Sequence, residues 1–388
     1  MTTSFVLDQV RARPFEPVEL QTPLEVAQLP TPALVLNRPA LQRNIAVMSE
    51  FMAAGAKGIR PHAKTHKCPL ICREQLLAGA VGICVAKVGE AAAHLAAGVQ
   101  QILITSPVTT STKAAVLGEL AQAADDLNIV VDSIAGLEVL RENLPVEAHL
   151  GVLIDIDVSM GRTGTRSVDA AADLIEMISK DARLTFKGIQ HYAGHLMHVT
   201  DFQERRAKSL KLWSQVSEMV AELEHRGMHS GVVTGAGTGT YNIDVDVPLL
   251  TDLQVGSYIF MDEEYRQVHS GSGSRFEDFE VSLTVACSTI SQPRAGAMTV
   301  DGGYKAFASD SVAPVSDELP GVTFYFAGDE HGVLALPKGE QALRLGQVLQ
   351  FVTPHCDPTV NLHDYYWVQE NDSLIHTLWP ITARGCVW

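Results

Sequence analysis

The sequence predicts an α/β protein: a (β/α)8 barrel of the TIM type with a second, mostly antiparallel β domain. Two observations carry that prediction. From about residue 32, short β-branched runs alternate with longer stretches whose apolar residues recur at three- and four-residue spacing, as parallel βα units require. After residue 270 the helical period gives way to strand-like alternation, as in FEVSLTVACSTI, GVTFYFAG and LRLGQVLQFVTP.

Eight strands can be read in order: ALVLN (33–37), IRPHAK (59–64), GICVAK (82–87), QILIT (101–105), NIVVD (128–132), GVLIDI (151–156), KGIQHY (187–192) and GVVTG (231–235). Runs such as AAVLGELAQAAD, SVDAAADLIEMISKDA and RRAKSLKLWSQVSEMVAELEHRG supply helices between them. Eight such units fit a closed barrel better than an open doubly wound sheet, which stays as the alternative. Residues 1–30 contain four prolines and no clear period; they form an extension that either packs on the β domain or remains extended. The barrel is assigned to 31–270 and the β domain to 271–388, joined through the Gly/Ser-rich HSGSGSRFED at 269–278.

A chain of 388 residues with 46% hydrophobic content can bury one large core or two ordinary ones. Its net charge of −16 argues against nucleic acid, whose binding needs a basic surface, and favours a small-molecule partner. No apolar run reaches the roughly 18 residues of a membrane span, and the N-terminus lacks a secretory pattern. Six scattered cysteines read as a reduced, cytoplasmic protein.

In a barrel, functional groups gather where strands end and loops begin. RPHAKTHK, residues 60–67, places Lys64 at such an end, with His62, His66 and Lys67 as cationic neighbours that lower its pKa toward a nucleophilic amine. The competing reading is an exposed basic turn. TGAGTGTYN, residues 234–242, offers backbone amides and the hydroxyls of Thr238 and Thr240 to an anion such as phosphate, or is a flexible connection. Arg162 in GRTG either faces an anion or ring nitrogen in the mouth or lies on the surface. QHYAGHLMH brings Tyr192, suited to pack on a planar cofactor, and three histidines for acid–base work. His191 and Tyr192 point to opposite sides of a strand, so only one faces the mouth. In PHCDPTVNLHD, His355 and Asp357 on an extended strand project to one side, where both can meet one divalent cation; alternatively they close a turn before Pro358.

Taken in order, RPHAKTHKCP, GRTG, KGIQHYAG, GAGTGT, QVGSYIFMD, DEHGV and HCDPTVNLHD resemble the D-threonine aldolases, within the fold-type III pyridoxal-phosphate enzymes that include alanine racemase and D-serine dehydratase-like proteins. The resemblance runs from TPALVL at residue 31 to the terminal WPITARG. It implies a Schiff-base lysine at Lys64, an arginine at the pyridine nitrogen at Arg162, and a phosphate cradle at Gly237, Thr238, Ser257 and Tyr258. It further implies metal ligands at His355 and Asp357, with Mn²⁺ or Mg²⁺, and a substrate-side histidine at His198. It also implies a homodimer in which Asp329 lies near the partner's site. The expected reaction is reversible cleavage of D-β-hydroxy-α-amino acids to glycine and an aldehyde. Preference for D-3-hydroxyaspartate, dehydration of D-serine or 3-hydroxyaspartate, racemisation and non-catalytic cofactor binding are the alternatives. Ala86 stands where many relatives carry glutamine, and HLMH differs from their loop, so the side chain read at Cβ is open.

Overall fold

The computed structural model of the chain describes residues 3–337 and 343–388. Eight parallel strands make one sheet: Gly58–Ile59, Ile83–Val85, Gln101–Ile104, Asp126–Val131, Leu150–Asp155, Leu184–His191, Val232–Gly235 and Asp252–Leu253. The last strand pairs with the first, Asp252 opposite Gly58, and the continuation of the first meets the second at His62 and Cys84. The ring therefore closes as a barrel.

Two strands differ from the sequence expectation. Ala33–Asn37 is not a barrel strand; it lies in the second sheet, antiparallel to Leu283–Arg294 and parallel to Tyr365–Gln369. Its first four residues are buried, on both faces, and a strand covered on both faces reads alike in either kind of sheet. The eighth barrel strand is Asp252–Leu253, which apolar pattern could not find. Asp252 and, just beyond the strand, Gln254 are polar, accepting from Thr234 Oγ1 at 2.5 Å and donating to Gln190 at 3.0 Å. Each site loop consequently follows one strand earlier in the ring than its pattern suggested: Lys64 after the first, Arg162 after the fifth, the glycine turn after the seventh.

The second sheet has nine strands. Val18–Leu24 pairs with Ile375–Pro380, so the N-terminal segment adds strands to it. Helix Arg38–Ala54 then crosses back to the barrel, started by Asn37, whose side chain accepts from the Ala40 amide at 3.0 Å, with a proline in the first turn. Its buried Asn44 donates to the carbonyls of Ile259 and Glu280 and accepts from the Glu280 amide, which ties the helix to the chain where it leaves the barrel.

One bulge aims the site. Strand Leu184–His191 slips register opposite Val152 and Leu153, passing over Lys187. Gly188 has φ 152° there, and a Cβ would sit 1.9 Å from the Val232 carbonyl oxygen. Beyond the bulge Gln190 and Tyr192 face the barrel mouth while His191 turns outward onto Trp213, ring centroids 5.3 Å apart. Gly188→Ala should therefore cost at least about 3 kcal/mol, because backbone rather than a flexible side chain must move. Calorimetric unfolding checks this; an unchanged melting temperature would show that the bulge accepts a side chain.

Candidate active site

RPHAKTHK is not a solvated basic turn. Arg60 pairs with Asp252 at 3.2 Å. Buried His62 reaches Thr105 Oγ1 at 3.1 Å, and buried His66 accepts from the Cys68 amide at 3.1 Å. Lys67, in the left-handed region at φ 53°, pairs with Glu90, which also accepts from the Ala86 amide at 2.7 Å. Lys64 opens to the cavity with its side chain 40% exposed, beside the largely buried His62.

The expected lowering of the Lys64 pKa is not what the geometry produces. Asp357 Oδ2 lies 3.2 Å from Lys64 Nζ and raises the ammonium's pKa, outweighing the partial desolvation of the cavity mouth. The histidines supply no positive surrounding: burial takes His66 down to about 3 and His62 well below its ordinary value. Lys67 spends its charge on Glu90.

A cavity of about 560 Å³ opens at the strand ends, lined by Lys64, Lys87, Arg162, Gln190, Tyr192 and Gln254 among others. That is the size of a small-molecule site. The Arg162 guanidinium carbon lies 5.5 Å from the Tyr192 ring centroid. The floor is a polar network: Gln190 donates to Asp155 Oδ1 at 3.0 Å, Gln254 to Gln190, and Thr163 to Asp155 Oδ2 at 2.7 Å. Burial raises the Asp155 carboxyl to about 6.

The loops after the seventh and eighth strands run behind Tyr192 and His62, Gly237 close to the Tyr192 ring and Gly256 close to His62. The amides of Gly237, Thr238, Gly239 and Ser257 donate to no protein group among the described residues. A Cβ on Gly239 would sit 2.4 Å from the Met197 carbonyl oxygen, so the close approach there requires glycine. Two expected donors are already engaged. The Tyr258 amide donates to Thr238 Oγ1 at 3.1 Å and its buried hydroxyl accepts from Gln75. The Thr240 hydroxyl donates to Asp244 at 2.5 Å.

The second domain meets the site at Lys64, through Asp357. His355 and Asp357 are not on an extended strand: His355 is the N-cap of helix Cys356–Val360 and Asp357 lies in its first turn. Pro358 sits inside that turn, where a proline fits a helix start, which is why the segment looked like a strand ending in a turn. His355 Nδ1 lies 2.8 Å from Asp310 Oδ2 and 3.6 Å from Glu264 Oε2. Glu264 Oε1 is 3.7 Å from His198 Nδ1, whose ring packs on Tyr265. Burial, then the neighbouring His355, takes His198 down to about 4. Burial works against charge on His355, but Asp357, Asp262, Asp310 and Glu264 together raise its pKa. Asp357 is held below the usual carboxylate range, against its burial, by Lys64 and His355.

Residues 36–264 match the family described as alanine racemase, N-terminal domain, and residues 282–369 match a putative serine dehydratase domain. The chain is 36% identical over 366 residues to a D-threonine aldolase of Arthrobacter sp and 34% identical over 368 residues to a 3-hydroxy-D-aspartate aldolase of Paracoccus denitrificans (strain Pd 1222). Each alignment covers 93% of this chain and 94% of the relative. The solved D-threonine aldolase from Filomicrobium marinum is similar at a TM-score of 0.90 and 34% identity, covering 96% of this chain and 100% of that one. The chain belongs to the D-threonine aldolase family.

For a member of this aldolase family, the site gathers Lys64, His198, His355 and Asp357 at one junction and sets Arg162 and Tyr192 across the cavity. Asp329 lies elsewhere, on the turn after strand Thr323–Phe326, 3.9 Å from Lys305. Sequence reasoning missed Glu264, Asp310, Asp155, Gln190 and Gln254. Asp155 had a signal, a carboxylate in the apolar run GVLIDI; Asp310 had none. Among the described residues no three His, Cys, Asp or Glu side chains converge in a metal-binding geometry, and no helix is long and apolar enough to cross a membrane.

His198 should be uncharged in the unliganded protein at pH 6 and above, since its pKa is near 4. Imidazole NMR shifts followed from pH 3 to 8 check this; a midpoint near 6.5 would contradict the burial argument.

Proposed function

We propose that this chain is a pyridoxal-phosphate- and divalent-metal-dependent aldolase, cleaving D-β-hydroxy-α-amino acids between Cα and Cβ to glycine and an aldehyde and running the reverse addition. One observation carries the reading: the 3.2 Å contact of Lys64 Nζ with Asp357 Oδ2 sets a barrel amine against a histidine–carboxylate cluster of the second domain. Alignment with aldolases of this substrate class over 93% of the chain supports it.

The residues fit the cofactor. Lys64 would carry it, the Tyr192 ring would pack beside its ring, and Arg162 would donate to its pyridine nitrogen. The unpartnered amides of Gly237, Thr238, Gly239 and Ser257 would hold its phosphate. When bound, pyridoxal phosphate supplies an electron sink for the pair left on Cα. An arginine cannot give its proton to the pyridine nitrogen, so the sink is weakened and the hydroxyl side needs help.

That help is the role of the second domain. Asp262, Glu264, Asp310 and Asp357 surround His355, and among the described residues Lys64 and His355 are the cations that offset them. Glu264 Oε2 is buried without a hydrogen-bond partner. Surplus negative charge with an unsatisfied oxygen suits a divalent cation, and mixed nitrogen–oxygen donors suit Mn²⁺ or Mg²⁺. Asp310 engages His355 Nδ1, which leaves Nε2 free, so His355 Nε2 and Asp357 would be the ligands. Such an ion would lower the pKa of a β-hydroxyl. His198 is neutral, and with Nδ1 toward Glu264 its Nε2 is the atom that takes the hydroxyl proton. The same reading makes the chain a homodimer with Asp329 near the partner's site; exposed Tyr304 and Tyr325 beside that turn give the surface an aromatic face.

The test incubates the protein with pyridoxal phosphate, Mn²⁺ and D-threonine, L-threonine, D-serine or 3-hydroxyaspartate isomers. Glycine and an aldehyde from D isomers alone are expected; a keto acid and ammonia would make it a dehydratase, and no product would leave a cofactor-binding protein. Chelation should abolish cleavage while the cofactor's visible absorbance persists. Full turnover in a metal-stripped sample would end the metal's role.

A further inference from the structure

Behind the glycine turn sits a cation without a carboxylate. Arg205, in helix Phe202–His225, is fully buried. Among the described residues it makes no salt bridge, and Asp201 and Asp278 act on it only from a distance. Its guanidinium is spent on backbone carbonyls of three segments. Nε donates to Gly239 at 2.7 Å, Nη1 to Val199 at 2.5 Å and Thr200 at 3.3 Å, and Nη2 to His269 at 2.6 Å. The Phe202 ring lies beside it, 5.4 Å from the guanidinium carbon.

A buried guanidinium is costly, and carbonyl dipoles stabilise it without cancelling its charge. Packing alone would be served by methionine or leucine. The three segments show what the charge does. Gly239 belongs to the turn whose Thr238 and Gly239 amides are unpartnered, Val199 follows His198, and His269 donates its own amide to Thr200 where the chain leaves the barrel. We propose that Arg205 is the positioning residue of the phosphate site: it holds the turn in its anion-accepting shape, and its unneutralised charge favours a dianion on the turn's open side. The same grip keeps His198 at a constant distance from that site. This rests on the phosphate reading of the glycine turn.

The experiment measures dissociation constants of pyridoxal phosphate and of pyridoxal, which lacks the phosphate, for the full-length protein and for Arg205→Met and Arg205→Lys. The wild type should prefer the phosphorylated form. Arg205→Met should lose at least about tenfold of that preference with pyridoxal binding little changed. Arg205→Lys, which keeps the charge but not the fork, should fall between; should Arg205→Met not fold, the lysine variant alone reads the ratio. A structural role would weaken both ligands alike, so an unchanged ratio overturns the proposal. A wild type indifferent to the phosphate would instead overturn the phosphate reading, and the proposal with it.

Discussion

Lys64 and Asp357 come from different sheets, and the site depends on their meeting. The first barrel strand must end at the domain boundary, and helix Cys356–Val360 must begin there. Buried Asp262 enforces the second condition by accepting from the Cys356 amide at 2.8 Å, while the Glu263 and Glu264 amides donate to Thr353 and Pro354. That clamp is why Glu264 faces His355. The second domain also grips the lysine loop from behind: Tyr366 donates to the His66 carbonyl at 2.7 Å and the Ala383 amide to that of Lys67. Lys64 is thus aimed by its own strand and held by backbone contacts from the other domain.

The charges at this junction sort by burial. Histidines deep in the barrel, His62 and His66, stay neutral because the pull of Asp357 is too weak to offset their desolvation. His355, at the edge of the cluster, gains enough from four carboxylates for its pKa to be raised despite its burial. His198, further from them and next to His355, goes the other way. Two histidines a few ångströms from one glutamate therefore have pKa values shifted in opposite directions.

Most of the barrel was legible because its strands are apolar runs between helical periods. What was not legible shows where pattern stops. ALVLN carries the same letters whether a barrel or a sheet covers it, and Asp252–Leu253 is too short and too polar to register. Lys64, Arg162, Tyr192 and the glycine turn were readable from position at strand ends, and the motif order pointed to the family. The electrostatics were not readable. The neighbours of Lys64 in sequence are basic residue types, but its neighbour in space is Asp357, and a one-dimensional reading weights the wrong ones. Asp310 acts through His355, and Arg205 joins its near neighbours Val199 and Thr200 to the distant Gly239 and His269, so no local pattern marks either.

We propose that Lys64 carries the cofactor beside the second domain's His355 and Asp357. Borohydride reduction of the pyridoxal-phosphate-loaded protein, followed by peptide mass mapping, tests it most directly. The account predicts a single pyridoxyl adduct on the peptide containing Lys64. An adduct on Lys67, Lys87 or any other lysine, with Lys64 unmodified, would contradict it.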